Sequence, residues 1–259
     1  MDHTARKEIP FYYAPGKKLF QIVAKIAAEP GSLGRVLTLL GTKANLVGTV
    51  SYTMPDDSSI LSAFAETSSD SESAENLRSL VVSSGATLDA EVFEGMDGIL
   101  VDTFHTGLQT GGDYLVLVRR QALTRMLGSV YTLLGSGGEI VLYDMGIAAG
   151  RANVEAMVTS LGPKKVRETF DYLRNSFAAQ GWGRVEAKAS PNQEASRVLV
   201  RDCFECSAND GARKGCHFFR GYIVGQWSAI SKEELAVEEK KCRLWGYDLC
   251  EFLLKPKYE

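Results

Sequence analysis

The sequence predicts an α+β protein of two domains, on three observations. Between residues 18 and 95, four short apolar runs and two segments of helical spacing alternate in the order βαββαβ. From residue 121 onward, helical patterns are followed by alternating runs that can pair into an antiparallel sheet of about four strands. All five cysteines fall between residues 203 and 250, crowded enough to act together. The divisions read as a leader over 1–17, a first domain over 18–95, a connector over 96–120 and a second domain over 121–259.

In the first domain, LFQIVAKIA (19–27) is alternating and rich in strand formers, and Pro30-Gly31 ends it. The segment 29–44 reads as a helix with Ser32 placed to cap it and Leu33, Val36, Leu37 and Leu40 on one face. Asn45 and Gly48 open a second strand. A turn at Pro55-Asp56-Asp57 leads into ILSAFAE, as a hairpin requires. Residues 69–85 carry a Ser/Asp start, Leu77, Leu80 and Val81 on one face, and a glycine stop. TLDAEVFEG is the fourth strand. In the connector, Gly111-Gly112 marks a turn before the strand-like YLVLV (114–118), and His105 lies on a loop as a residue whose default role is structural.

The second domain opens with an amphipathic helix from about Gln121 to Leu134. A helix over 137–162 follows, with Gly146 and Gly150 four apart, a spacing that lets one face approach another backbone closely. Pro163 starts a further helix whose Val166, Phe170, Leu173 and Phe177 form a stripe, and whose Lys164, Lys165 and Arg167 read as a solvated face. GRVEAKAS and SRVLVRDCFEC are alternating runs joined at Pro191-Asn192, and an apolar helix begins at Cys216. ELAVEEKKCRL and DLCEFLLK complete the sheet. A gap between helix and sheet is a usual place for a small ligand, and its aromatic lining would come from Tyr143, Phe170, Phe177, Trp182, Phe218, Phe219, Tyr222 and Trp227.

Cys216, Glu239, Cys242 and Cys250 offer three thiolates and a carboxylate, a donor set suited to a tetrahedral structural zinc ion. The excess negative charge can be offset by Arg213, Lys214, Lys240, Lys241 and Arg243. The alternative from residue types alone is a set of small buried thiols. A spacing of three in a flat strand puts Glu239 and Cys242 on opposite faces, so a bulge must intervene, or Glu238 takes the role. Cys203 and Cys206, as Cys-x2-Cys, suit a redox pair, additional metal ligands or inert thiols, and an iron–sulfur cluster is a lesser reading of the five cysteines.

Two resemblances follow from these motifs. The stretch from Cys216 through Glu239-x2-Cys242 to Cys250, eight residues on, resembles the end of the 4-vinyl-reductase domain, a small-molecule-binding module whose zinc-containing members show the same spacing; LYDMGIAAGR resembles the helix near its start. The positions that hold phenol in its phenol-sensing members correspond here to Arg167 and Ala195, so that ligand is not carried over. The βαββαβ order of 18–95, its Pro-Gly-x-Leu turn and Asn45 resemble the ACT domain, a ferredoxin-like regulatory module. That resemblance implies an effector loop at Glu29, Pro30, Gly31, Ser32 and Leu33 with Asn45 beside it. A helix N-terminus there would meet a carboxylate.

With 45% hydrophobic and 24% charged residues and a net charge of −3, the composition is that of a globular protein and carries no basic excess for nucleic acid. No run of about 18 apolar residues and no secretion signal is read, so a cytoplasmic protein without a membrane span is expected. No nucleophile–base pair, phosphate loop or dinucleotide fingerprint is read, which favours a non-enzymatic role. The expectation is a small-molecule-sensing regulatory protein with a structural zinc ion and no DNA-binding segment of its own. It would be a homodimer that answers to a small hydrophobic or amino-acid-like effector and delivers its output through a partner protein. The alternatives are an adaptor of the transport-particle type, which the 4-vinyl-reductase fold resembles, and an enzyme or accessory factor of tetrapyrrole vinyl reduction.

Overall fold

In a computed structural model, which describes residues 11–69, 71–110, 113–189, 196–207 and 215–257, the chain forms two compact units, one ending at Thr106 and the other beginning at Gly107. The start of the leader, the Gly111-Gly112 and Pro191-Asn192 turns, Ala195, and Arg213 and Lys214 lie outside the described residues.

The first unit contains β1 (Phe11–Tyr13), β2 (Lys18–Ile26), α1 (Ser32–Gly41), β3 (Asn45–Thr53), β4 (Ser59–Thr67), α2 (Ala74–Val82), β5 (Thr87–Glu94) and β6 (Ile99–Val101). Its main sheet has the order β3-β4-β2-β5, with every pair antiparallel, and α1 and α2 supply the connections. Phe20, Ile22, Ala24 and Ile26 of the central β2 pack with Val36 and Leu40 of α1 and Leu77 and Val81 of α2. Leu19 joins Phe64 and Leu100 in a second cluster, with Tyr12 packed on it from the β1–β6 ribbon. The near-continuous apolar character of 19–26 is that of a strand covered on both sides.

Two local expectations are corrected. Ser32 is not the cap of α1; Gly31, at φ +85°, occupies that position, and the Ser32 hydroxyl accepts a hydrogen bond from Arg35 Nη2 (3.1 Å). Glycine is favoured there because a side chain at positive φ is strained. The segment after residue 95 is also not free. Buried Gln21 donates through Nε2 to Ser62 Oγ (3.1 Å) and Asp102 Oδ1 (2.7 Å), and its Oε1 accepts from the Thr103 N–H (3.0 Å). Asp102 in turn accepts from the Phe104 and His105 N–H groups and pairs with His105 Nδ1 at 2.7 Å.

The second unit contains the hairpin β7 (Leu108–Thr110) and β8 (Asp113–Leu115), then α3 (Arg120–Leu134), α4 (Ser136–Leu161), α5 (Pro163–Leu173), α6 (Ser176–Ala179), β9 (Arg184–Ala189), β10 (Ser196–Arg201), α7 (His217–Ser231), β11 (Leu235–Lys241) and β12 (Cys250–Pro256). The strand expected over 114–118 ends at Leu115, and Val116 to Val118 are exposed. The helix expected from Pro163 onward breaks after Leu173 into α5 and α6. β11-β12-β10-β9 form an antiparallel sheet, and Phe219 of α7 packs on Phe252 of β12 (centroids 6.1 Å apart).

Helix α4 crosses α7 through paired glycines. A Cβ on Gly146 would run into Phe218 O, and one on Gly150 into Tyr222 O; on the facing helix, Gly221 meets Tyr143 O and Gly225 meets Ile147 O. The Gly146/Gly150 spacing thus finds an identical spacing, Gly221/Gly225, on its partner. Among the described residues no helix is long and apolar enough to cross a membrane.

Candidate metal centre

Strand β10 ends at Arg201, and Asp202, at φ +54°, turns the chain into a 3-10 turn over Phe204–Ser207 that carries Cys206, with Cys203 just before it. Cys216 is the N-cap position of α7. Cys242 follows β11, and Cys250 is the first residue of β12. The register of β11 on β12 slips between Glu239 and Lys241, so Lys240 is the extra residue of a bulge. That bulge brings Glu239 and Cys242 to one side, as their spacing of three requires. Glu238 is exposed and paired with Lys240, leaving Glu239 as the inward carboxylate.

The five cysteines are 0–9% exposed, with none in a disulfide. The donor atoms of Cys216, Glu239, Cys242 and Cys250 lie within 4.8 Å of one another, and so do those of Cys203, Cys206, Cys216 and Cys250. Cys216 Sγ stands 3.7 Å from the sulfurs of both Cys242 and Cys250. A tetrahedral ion with metal–sulfur bonds of about 2.3 Å has sulfur–sulfur edges of about 3.8 Å. The sulfurs are therefore already spaced for a thiophilic ion, and this buried cluster has the geometry and the donor set to hold one.

Electrostatics point the same way. Burial raises the Cys203 thiol, and neighbouring sulfurs, Cys203 first, raise Cys206 and Cys216. Cys250, which receives hydrogen bonds from Cys203, Cys206, Cys216 and Cys242, is lowered. Several thiolates cannot share this space without a cation among them. Burial also raises the carboxyl of Glu239, whose Oε2 accepts from the Cys216 N–H at 3.0 Å. Of the expected counter-charges, Lys240 pairs with Glu238 and Lys241 with Glu251 (3.1 Å). Arg220, over the Tyr143 ring at 5.1 Å, is a cation acting on Glu239 that sequence reasoning did not name.

A second unforeseen residue is Glu205, between Cys203 and Cys206 in the chain. It is fully buried and accepts from the backbone N–H groups of Phe218 (3.2 Å) and Phe219 (2.8 Å), closing the first turn of α7. The same short turn thus presents two thiols to the cluster and a carboxylate to the helix that bears Cys216.

The residues expected to line a ligand gap fall into separate groups. Phe177, Trp182, Phe218, Phe219 and Tyr222 form one aromatic cluster, with Trp182 and Tyr222 centroids 4.5 Å apart. Phe170 and Trp227 form a separate edge-to-face pair at 4.9 Å, and Tyr143 lies under Arg220. In the first unit, the expectation that Asn45 stands beside the loop Glu29–Leu33 is corrected. Asn45 pairs with Glu66, which pairs with Leu19, whereas the loop leaves β2 beyond Ile26. Seven residues of strand separate those levels by about 23 Å, so within one chain the six residues do not converge.

Residues 197–256 match the 4-vinyl-reductase domain. An uncharacterized protein of Methanocaldococcus jannaschii is 27% identical over 114 residues, 44% of this chain and 55% of that protein, so the chain spans about half the length of this curated relative. Among solved structures, the phenol-responsive sensory domain of the transcription activator PoxR, with phenol, is 21% identical with a TM-score of 0.47, over 59% of this chain and 83% of that one. A vinyl-4-reductase family protein from Methanocaldococcus jannaschii is 18% identical with a TM-score of 0.38, over 55% of this chain and 83% of that one. All six donor side chains, from Cys203 to Cys250, lie inside the matched domain at residues 197–256.

Proposed function

We propose that the protein is a small-molecule-sensing regulator whose second unit is held closed by a structural zinc ion on Cys216, Glu239, Cys242 and Cys250. The observation that carries this reading is the convergence of these four donors, from the start of α7, the bulge of β11 and the start of β12, inside the 4-vinyl-reductase segment. Such an ion ties the first turn of α7 to the two closing strands.

The sensing role draws support from α7 itself. Gln226 is fully buried, donates weakly to Tyr222 Oη (3.4 Å), and leaves its Oε1 with no partner among the described residues. Arg174, 8% exposed, keeps Nε and Nη1 likewise unpartnered. Buried polar atoms in that condition are costly unless something completes them. An apolar effector with a small polar group would complete them beside the aromatic cluster. The first unit then serves as a regulatory module, with Glu29–Leu33 as its effector loop. Exposed apolar side chains on the α3–α4 hairpin, Leu133 at 80% and Ile140 at 67%, favour a second copy or a partner protein there as the route of output.

Elemental analysis tests the zinc, and native mass spectrometry of the freshly purified chain tests the effector. Zinc should copurify, Cys242→Ser and Cys250→Ser should each lower its content, and a small molecule should be retained. A metal-free wild-type chain that folds and stays folded with chelator present sinks the zinc reading; a chain that never carries or binds a small molecule sinks the sensing role.

A further inference from the structure

We propose that the second unit holds two metal ions in a thiolate-bridged pair, with Cys216 and Cys250 shared between them. Glu239 and Cys242 complete one tetrahedron, and Cys203 and Cys206 complete the other. This rests on the zinc reading for the first ion and adds a second site beside it.

The juxtaposition that carries it is the overlap of two donor sets. Each contains four side chains whose ligand atoms all lie within 4.8 Å of one another, and the sets have Cys216 and Cys250 in common. Two sets of four that share two members contain six donors, which is what two tetrahedra sharing an edge require. The shared edge, Cys216 to Cys250, is 3.7 Å. In the second set, Cys203 to Cys216 is 3.8 Å and Cys206 to Cys250 is 3.4 Å, close to the edge of about 3.8 Å for a thiolate-bound ion. Cys206 to Cys216, at 2.9 Å, is too long for a disulfide and must open by about 0.9 Å to admit the ion.

A single tetrahedral ion uses four of the six donors and leaves two thiols sealed in the interior beside it. Cys203 is 0% exposed and Cys206 9%, so neither can turn to solvent. With all six donors deprotonated the cluster carries six negative charges, and two divalent ions leave a net charge of −2 where one leaves −4. The protein also builds the second pair of ligands deliberately. The Cys206 N–H donates to Cys203 O at 3.2 Å, closing the Cys-x2-Cys turn with both sulfurs directed at Cys216, while Glu205 between them is anchored on α7.

The test uses the full chain loaded with zinc, counted by native mass spectrometry, and then loaded with cadmium-113 for NMR. Two ions per chain are expected, giving two cadmium resonances split by coupling through the shared sulfurs. The Cys203→Ser/Cys206→Ser double variant should fall from two ions to one. A wild-type chain that saturates at one ion overturns the second site and leaves the first standing; one that binds none overturns both. Two ions without mutual splitting overturn the shared bridge. Should the double variant fail to fold, the wild-type ion count and cadmium spectrum decide the matter alone.

Discussion

The same substitution at two glycines of α4 should have opposite effects on stability. A Cβ at Gly137 meets nothing within 4 Å, and the residue is helical. Gly137→Ala should therefore gain the helix-propensity difference between glycine and alanine, about 0.5–1 kcal/mol. At Gly146 the new Cβ would lie 2.7 Å from Tyr222 N and 3.0 Å from Gly221 Cα, and closer still to Phe218 O. These are backbone atoms of α7, so no rotamer change relieves the contact, and the two helices must move apart by about 1 Å along a crossing that buries four glycines. Overpacking of this kind costs about 1–3 kcal/mol, and the propensity gain offsets less than half of the upper figure. The three tryptophans, Trp182, Trp227 and Trp245, all lie in the second unit, so their fluorescence during urea unfolding follows that unit without interference from the first. A urea midpoint for Gly146→Ala equal to or above wild type would refute the reciprocal glycine packing. A drop for Gly137→Ala would refute the open surface there.

Glu205→Ala should strip acceptors from two N–H groups of α7, the Phe219 one buried, and lower second-unit stability by about 2–4 kcal/mol in the same fluorescence assay, with Glu205→Gln losing less because one acceptor remains. In the first unit, Gln21→Leu should leave Ser62 Oγ and the Thr103 N–H without their partner, costing about 1–3 kcal/mol and lowering hydrogen-exchange protection over residues 100–106. Burial pushes the Asp102 carboxyl up, but hydrogen bonds from Gln21 and His105 outweigh it and hold the group below the usual carboxylate range. A carboxylate lowered on folding contributes stability that is present above its unfolded value of about 4 and is lost as pH falls through the folded value. Asp102→Asn should accordingly flatten the acid-side loss of protection in that segment below about pH 4.

The βαββαβ order and the antiparallel second sheet were legible because alternation and helical spacing are local properties, and both units keep them. Features made by distant segments were not. Glu205 caps a helix that starts twelve residues later, and no capping signature spans such a gap. Gln21, a lone polar residue amid LFQIVAKI, was a usable sign that something must return to satisfy it, because a buried amide needs partners. The Gly221/Gly225 spacing was equally visible, but a glycine pair on one helix does not name the helix it meets. Asn45 was misplaced relative to the effector loop because strand direction was not followed through: β3 runs parallel to β2, so its start lies at the end opposite the loop. The cysteines show the limit most clearly. Cys203 and Cys206 look like a separate pair along the chain because about ten residues part them from Cys216 and more than forty from Cys250. The sheet order β11-β12-β10-β9 sets Val200 opposite Cys250, so the chain leaving β10 must pass the start of β12. Six donors meet because β10 pairs with the last strand, and that pairing is a long-range choice no spacing of residues encodes.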